Sequence, residues 1–449
     1  MIKLLGINSL FDEVVDVDYL LDYFKNHTHI QFDLETSGFD PYTSKVLCFQ
    51  IGDKDTQFVC DPLYINKCKA LLESKILIGH NIKFDLKFLN LFGIFPTKVH
   101  DTFVVEYVLT QGIDKRRNLA AVLYERLGIN LDKSIRENIF ERGLTQEVIQ
   151  YSANDVKYLH EIMEQQLKEG EEKDLLKKIR LENSFVPVLA YIENCGLKLD
   201  IEKWKLKIIK DKENLIKAKK VLDDWIIENN IKEWISVQLN LFSSEKEVLI
   251  NWNSPKQVAS LFKSLGVPIE YKDGDKLKES VGNVNIAKYE KDFPIIKNYL
   301  EYKKVEKLVG TYGENFFSHI NPVTGRVHTN FKQLMDTGRL SSGGKNRKTK
   351  EEYINFQNIP SDKFTRSCFI AEEGNTLLIS DYSGQEQVVL ANNSLDENLL
   401  QFYDSGFSDM HSFVASKMFK YLSDVDLDTI KNQYKEERQK AKSAGFAIN

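Results

Sequence analysis

The sequence predicts an α/β domain at the N-terminus, a long helical region in the middle and an α+β portion towards the C-terminus. Three observations carry this: a strand-and-turn rhythm over residues 28–60, long charged helical stretches from 182 to 316, and strand signals that return after residue 320 before helices resume. In "HIQFDLETSGFDPYTSKVLCFQIGDKDTQFVCD" apolar and polar residues alternate between the turn-forming runs S-G-F-D-P and G-D-K-D, the pattern of a strand meander. "ILIGHNIKFDLKFLNLFGI" is a short apolar strand and then a helix; two more helices come after it, the second in "TQEVIQYSANDVKYLHEIMEQQLKEGEEKDLLKKI". Residues 1–165 therefore read as one α/β unit, joined to the rest of the chain by a charged helical connector at 166–181. Helices such as "IEKWKLKIIKDKENLIKAKKVLDDWI" and "FPIIKNYLEYKKVEKLVGTYGENFF" dominate 182–316, with a Ser-Pro turn at "NWNSPKQ" between them. "GRVHTNF" and "NTLLISDYS" are the later strands, and helices run from about Glu386 onward.

Composition limits the classes of function. A chain of 449 residues has room for two to four domains. Apolar residues at 42% and charged residues at 28% are those of a globular protein, and no apolar run approaches the ~20 residues of a membrane span. Acids appear too early in "MIKLLGINSLFDEVVDVDY" for a secretory signal, so a cytoplasmic protein is expected. The five cysteines lack any C-x-x-C pair and imply neither a disulfide framework nor a thiolate zinc site. Net charge is −5, but "FKQLMDTGRLSSGGKNRKTK" (331–350) holds six Lys or Arg against one Asp, with Gly and Ser interleaved. Such a basic loop suits phosphate contact.

The residues that carry chemistry begin with "QFDLET". Asp33 and Glu35 are two apart on a strand, so both carboxylates leave one face while Phe32 and Leu34 take the other. Like charges held that close repel, and a hard divalent cation such as Mg²⁺ or Mn²⁺ relieves the repulsion. "NIKFD" places Asp85 on a helix four residues after Asn81, and "YSAND" places Tyr151 and Asp155 one helical turn apart. Three acidic stations, strand then helix then helix, suffice for a two-metal hydrolytic site. His80 and His100 have no metal-ligand spacing and read as structural.

Asp-x-Glu, Asn-x-x-x-Asp and Tyr-x-x-x-Asp, in that order, resemble the three motifs of the proofreading 3′–5′ exonuclease fold, a ribonuclease H-like α/β domain. The resemblance implies that Asp33, Glu35, Asp85 and Asp155 bind two metal ions, Mg²⁺ or Mn²⁺, and that Tyr151 orients the attacking water. It also implies the 3′ end of single-stranded DNA as substrate.

The remainder resembles family A (Klenow-type) DNA polymerases. "TGRVHTNFKQLMDTGRLSS", "NFQNIP", "RSCFIAEEGNTLLISDYSGQEQVVLA", "DMHSFVASKMF" and "ERQKAKSAGF" are similar, in order, to that family's palm and fingers signatures. "FVPVLAYIENCGLKLD" and "NWNSPKQVASLFKSLGVP" are similar to its palm base and thumb. The implied architecture is an exonuclease domain at 1–165, palm base and helical thumb at 182–316, part of an α+β palm at 317–395 and part of the fingers at 396–449. Asp381 would be one of two catalytic aspartates holding two Mg²⁺ or Mn²⁺ ions. Glu386 would sit under the sugar of the incoming dNTP, Arg438 and Lys442 would grip its triphosphate, and Phe446 would pack near base and sugar. The three last-named share one helix face, at i, i+4 and i+8. Arg339, Gln357 and Asn358 match positions that touch the minor groove of primer-template DNA, where acceptors are common to all pairs. Ser254, Lys256 and Gln257 would hold duplex backbone at the thumb.

Departures from the family pattern bear on these roles. Gly384, Gln385, Gln387 and Val388 stand where the family reads differently, so the Arg that succeeds the gate Glu is missing. Gly445 and Ala447 replace the customary Asn and Gly around Phe446. These point to a divergent branch, in a bacterial or phage-infected cell. The family's second catalytic carboxylate lies in a His-Asp-Glu-type motif beyond the fingers, whereas the His-Asp of this sequence, His100-Asp101, belongs to the exonuclease region. The sequence therefore leads us to expect the N-terminal portion of a longer polymerase, or one piece of a split one completed by a second polypeptide. The rivals are a stand-alone exonuclease of the same fold and a non-catalytic DNA-binding subunit.

Overall fold

The computed structural model describes the chain except residues 9–11, 114–116, 132–142, 241–242, 275, 346–351, 383, 407–408 and 449, and the side chains of 237–245, 273 and 445–449. Contacts divide it into two units, Met1–Glu373 and Gly374–Asn449.

The first unit opens with the expected α/β domain. Strands β1 (Ile2–Leu5), β2 (Glu13–Val15), β3 (His29–Thr36), β4 (Val46–Gly52), β5 (Gln57–Cys60), β6 (Ile76–Gly79) and β7 (Val99–Asp101) make one mixed sheet, in the order β2-β1-β5-β4-β3-β6-β7. The meander β3-β4-β5 is antiparallel, and the pairs β3-β6 and β6-β7 are parallel, with helices returning the chain between them. Phe32, Phe49, Phe58 and Phe24 fill the core on one side of the sheet with Leu86, Phe88 and Leu89 of helix α3 (Lys83–Leu91); α1 (Val17–Phe24) supplies Phe24 and α2 (Lys69–Ser74) supplies Leu71 and Leu72. Asp101 caps α4 (Thr102–Leu109), accepting from the Phe103 N–H at 3.0 Å, and Asn118 caps α5 (Leu119–Leu127). The helix Gln146–Lys157 lies across β3, β4 and β5.

A 20-residue helix, Leu176–Cys195, runs from this domain to β8 (Leu197–Leu199), which is sandwiched between Arg326–Val327 and Phe369–Ile370 in a small antiparallel sheet. Trp204 stacks on Phe316 at 4.4 Å beneath it. A second core, around Trp252, Phe262, Tyr299 and Ile226, unites the helices Ile201–Glu228, Pro255–Ser264 and Pro294–Thr311. The region 182–316 is thus helical as expected, but two hairpins interrupt it, Ile235–Asn240 with Ser243–Val248 and Glu270–Asp273 with Lys276–Glu279. Four of the five cysteines are buried reduced thiols; Cys195, ending the long helix, is half-buried.

The second unit holds the helices Gln385–Ser394, Glu397–Asp404, Met410–Met418, Leu427–Gln433 and Lys435–Ile448. Here the structure corrects one expectation. "NTLLISD" forms no strand, and Leu378 and Ile379 are 93% and 88% exposed. A strand exists through its ladder, and no described segment pairs with these residues. No described helix is long and apolar enough to cross a membrane.

Candidate active site

Period-two geometry on β3 does what the sequence implies: Phe32 and Leu34 are buried in the core while Asp33 and Glu35 share the other face. A register shift between Glu35 and Thr36 ends the regular pairing with β4 at this point. The helix Gln146–Lys157, held against that face, brings Asp155 to the pair, and oxygen atoms of Asp33, Glu35 and Asp155 lie within 4.8 Å of one another. Tyr151 sits one turn earlier on the same helix, 3% exposed.

Asp85 occupies a different position. It lies in the first turn of α3, is buried, and its Oδ1 accepts the Leu34 N–H at 3.1 Å, so it braces the strand between the two carboxylates. Burial pushes its pKa well above the usual carboxylate value, and the charges of Asp101 and Glu35 push it further. Asn81, at φ +60°, makes the turn from β6 into α3 and gives its N–H to Asp101 Oδ1 at 2.8 Å. Burial likewise raises Asp101, to about 6, against the pull of its backbone N–H donors.

Carboxylates gathered in a poorly solvated pocket repel one another, and a cation offsets that cost. The donors are all hard oxygens. The nearest soft group, the Cys48 thiol, is pushed by burial up to about 12 and stays protonated at neutral pH. The set fits Mg²⁺ or Mn²⁺ and does not suit a thiophilic ion. His80 Nδ1 lies 2.9 Å from Thr102 Oγ1 and His100 Nε2 lies 3.1 Å from Gln166 Oε1, the structural pairing expected of both.

The other sequence-predicted residues occupy three places. Ser254 caps the helix Pro255–Ser264, and Gln257 Oε1 accepts the Asn251 N–H at 2.6 Å, so both shape the turn while Lys256 stands exposed beside them. Gln357 Nε2 donates to Leu340 O at 2.9 Å, which brings Gln357 and Asn358 beside Arg339; all three are exposed. The basic run continues into residues 346–350, which lie outside those described. In the second unit Asp381 is exposed on the unpaired stretch and Glu386 is in the first turn of Gln385–Ser394. Arg438 is not presented as an isolated cation: its Nε and Nη2 hold both oxygens of Asp409 at 3.0 Å. Burial opposes the charge on Asp409, but Arg438 and Ser412 hold its pKa below the usual value. Lys442 is on the same helix, as is Phe446, whose side chain is outside those described.

Sequence reasoning missed Asp101 and Glu193. A cap signature, Asp before Thr-Phe-Val-Val, marks the first. For Glu193, 2% exposed, the signal was a lone acid inside "FVPVLAYIENCG".

Known proteins share both the sequence pattern and the fold. Residues 227–449 match DNA polymerase family A, and residues 11–171 match a 3′–5′ exonuclease family. The chain is 30% identical over 459 residues to DNA polymerase I of Aquifex aeolicus, covering 94% of this chain and 68% of that one. It is 29% identical over 432 residues to DNA polymerase I of Borreliella burgdorferi, covering 90% of this chain and 44% of the relative. In fold it is similar to the POL domain of Pol1 from M. smegmatis, solved in complex with DNA primer-template and dNTP, with a TM-score of 0.72 and 19% identity over 99% of this chain and 71% of that one.

Proposed function

This chain belongs to DNA polymerase family A, and from that premise we propose that it combines a 3′–5′ exonuclease acting on DNA ends with part of a template-directed polymerising site. The observation that carries the nuclease reading is the convergence of Asp33, Glu35 and Asp155 within 4.8 Å beside Tyr151. Asp33, Glu35, Asp85 and Asp155 would hold divalent metal, with Asp85 also fixing the strand behind the others through the Leu34 N–H. Bound metal would supply water activation and stabilisation of the leaving 3′ oxygen. The chain's own part is to place those oxygens rigidly, by strand period and helix packing, and to offer the Tyr151 hydroxyl for orienting the attacking water. Asp33→Ala with Glu35→Ala should abolish release of nucleotides from a 5′-labelled single strand with saturating Mg²⁺ or Mn²⁺. A parent chain that leaves the oligonucleotide intact would refute the assignment.

For polymerisation we propose residues 1–165 as exonuclease, 182–316 as palm base and thumb, 317–395 as palm and 396–449 as fingers. In this reading Arg339, Gln357 and Asn358 line the minor groove, Ser254, Lys256 and Gln257 meet duplex backbone, and Glu386, Arg438, Lys442 and Phe446 receive the dNTP. The Arg438–Asp409 pair supports the assignment of Arg438, since a bidentate carboxylate holds the guanidinium in one orientation. In this reading Asp381 supplies one carboxylate of the polymerising pair, in the cytoplasm, and the other comes from outside these 449 residues. Primer extension should be absent with these 449 residues and appear when a polypeptide carrying the other carboxylate is supplied, joined or separate. Robust extension by the chain by itself would disprove the need for one.

A further inference from the structure

We propose that Glu193 is a positioning residue of the nuclease reaction, clamping helix α3 to the strand Phe331–Lys332 so that Asp85 keeps its place behind the carboxylate cluster. The inference rests on the nuclease reading of that cluster. Glu193 lies near the end of Leu176–Cys195 with its side chain fully buried. Its Oε1 receives Lys83 Nζ at 2.7 Å and the Phe331 N–H at 2.7 Å, and its Oε2 faces Lys87 Nζ at 3.1 Å. Lys83 spends its remaining donors on Asn330 Oδ1 at 3.1 Å and Phe331 O at 2.6 Å, so all three ammonium protons have acceptors and the head cannot swing. Adjacent backbone joins the same knot. Asn194 Nδ2 donates to Lys87 O at 2.7 Å, and His328 Nδ1 is 2.8 Å from Glu193 O.

Lys83 and Lys87 are one turn apart on α3, on one face. Asp85 falls between them in sequence and leaves another side of the helix, where it takes the Leu34 N–H. Helix α3 is therefore gripped from two sides, by Glu193 on one and by the β3 backbone on the other. A buried ion cluster is a poor way to gain stability, because desolvation consumes most of the attraction. It is a good way to fix orientation, because the three acceptors around Lys83 and the Phe331 N–H on Glu193 Oε1 are met together in this arrangement. The same carboxylate takes the N–H of Phe331, and the strand Phe331–Lys332 pairs with Ser341–Ser342, close to Arg339 and Gln357. Glu193 thus ties the helix of Asp85 to the ribbon proposed to meet duplex DNA.

The test is Glu193→Gln, which keeps the volume and an acceptor for the Phe331 N–H but removes the charge that orders both lysines. On single-stranded oligonucleotide with Mn²⁺, kcat should fall by about tenfold or more while KM stays within about twofold, the pattern of a misplaced catalytic frame. Amide exchange of residues 29–36 and 83–91 should quicken in the metal-free protein, with the rest of the first unit unchanged. Lys83→Met should do the same, and adding it to Glu193→Gln should cost no more than about twofold beyond either change, since one clamp is broken in each. Unchanged kcat, a rise in KM with kcat held, or additive losses would overturn the inference. If Glu193→Gln does not fold, Lys83→Met, in which Lys87 still faces the carboxylate, decides by the same measurements. An inactive parent chain refutes the nuclease reading instead; exchange alone then decides whether the clamp holds α3, and unaltered exchange in both variants overturns it.

Discussion

His100 and Asp101 are neighbours in the chain, both buried, and burial acts on them in opposite senses. It lowers His100 to about 4 and raises Asp101 to about 6. Between about pH 4 and 6 the folded state keeps a proton on Asp101 that the unfolded chain has lost, so this residue makes stability fall as pH rises. Between about pH 4 and 6.5 the unfolded chain protonates His100 while the folded state does not, so this one makes stability rise. Shifts of this size correspond to roughly 3 kcal/mol each, and they nearly cancel. Relative to the parent, Asp101→Asn should therefore give a melting temperature that climbs more steeply from about pH 4 to 6 in metal-free buffer, and His100→Phe one that declines more steeply over the same range. If both variants keep the parent's pH profile, the shifts are not those of this pair. At this scale the gathering of Asp33, Glu35 and Asp155 was legible because strand period and helical turn fix which residues share a face. The bracing role of Asp85 was not, because it depends on a tertiary bond to Leu34 N, fifty-one positions away.

Elements were legible in proportion to how local their causes are. The meander β3-β4-β5 carries its own turns and alternation and formed as read. "NTLLISD" has the composition of a strand, but composition cannot supply the neighbour that a ladder requires, and it forms no ladder with any described residue. The pairing of Ile235–Asn240 with Ser243–Val248 went unread for the opposite reason, since helices flank it whose periodicity dominates the window. The turn at Ser254 allows capping and DNA contact to be separated. Ser254→Ala should cost about 1 kcal/mol, the usual worth of an N-cap, and lower the melting temperature of the chain. Lys256→Ala should leave melting unchanged and reduce the salt slope of duplex binding by about one, as the loss of one phosphate contact requires. A salt slope that Lys256→Ala does not alter would remove this turn from the DNA surface.

For the whole molecule, formal net charge of −5 conceals the cations that matter, since Arg339, Lys345 and Lys256 are exposed. Duplex affinity should fall steeply as salt rises and differ by less than about tenfold between sequences at fixed salt, because phosphate contact and shared minor-groove acceptors carry little sequence information. A stronger preference would show direct base readout instead. The order α/β, helical, α+β was legible along the chain, whereas the division into Met1–Glu373 and Gly374–Asn449 was not, because it depends on contacts across long separations. The placement of the cysteines carries a practical consequence. Burial raises the pKa of Cys48, Cys60, Cys68 and Cys368, which shields them from electrophiles, whereas Cys195 is only partly buried. Cys195 comes directly after Glu193 and Asn194, and its carbonyl accepts from Arg326 at 2.7 Å. A maleimide fluorophore added to the native chain should thus attach first at Cys195, where the helix Leu176–Cys195 passes into β8, and would report movement there without any engineered cysteine.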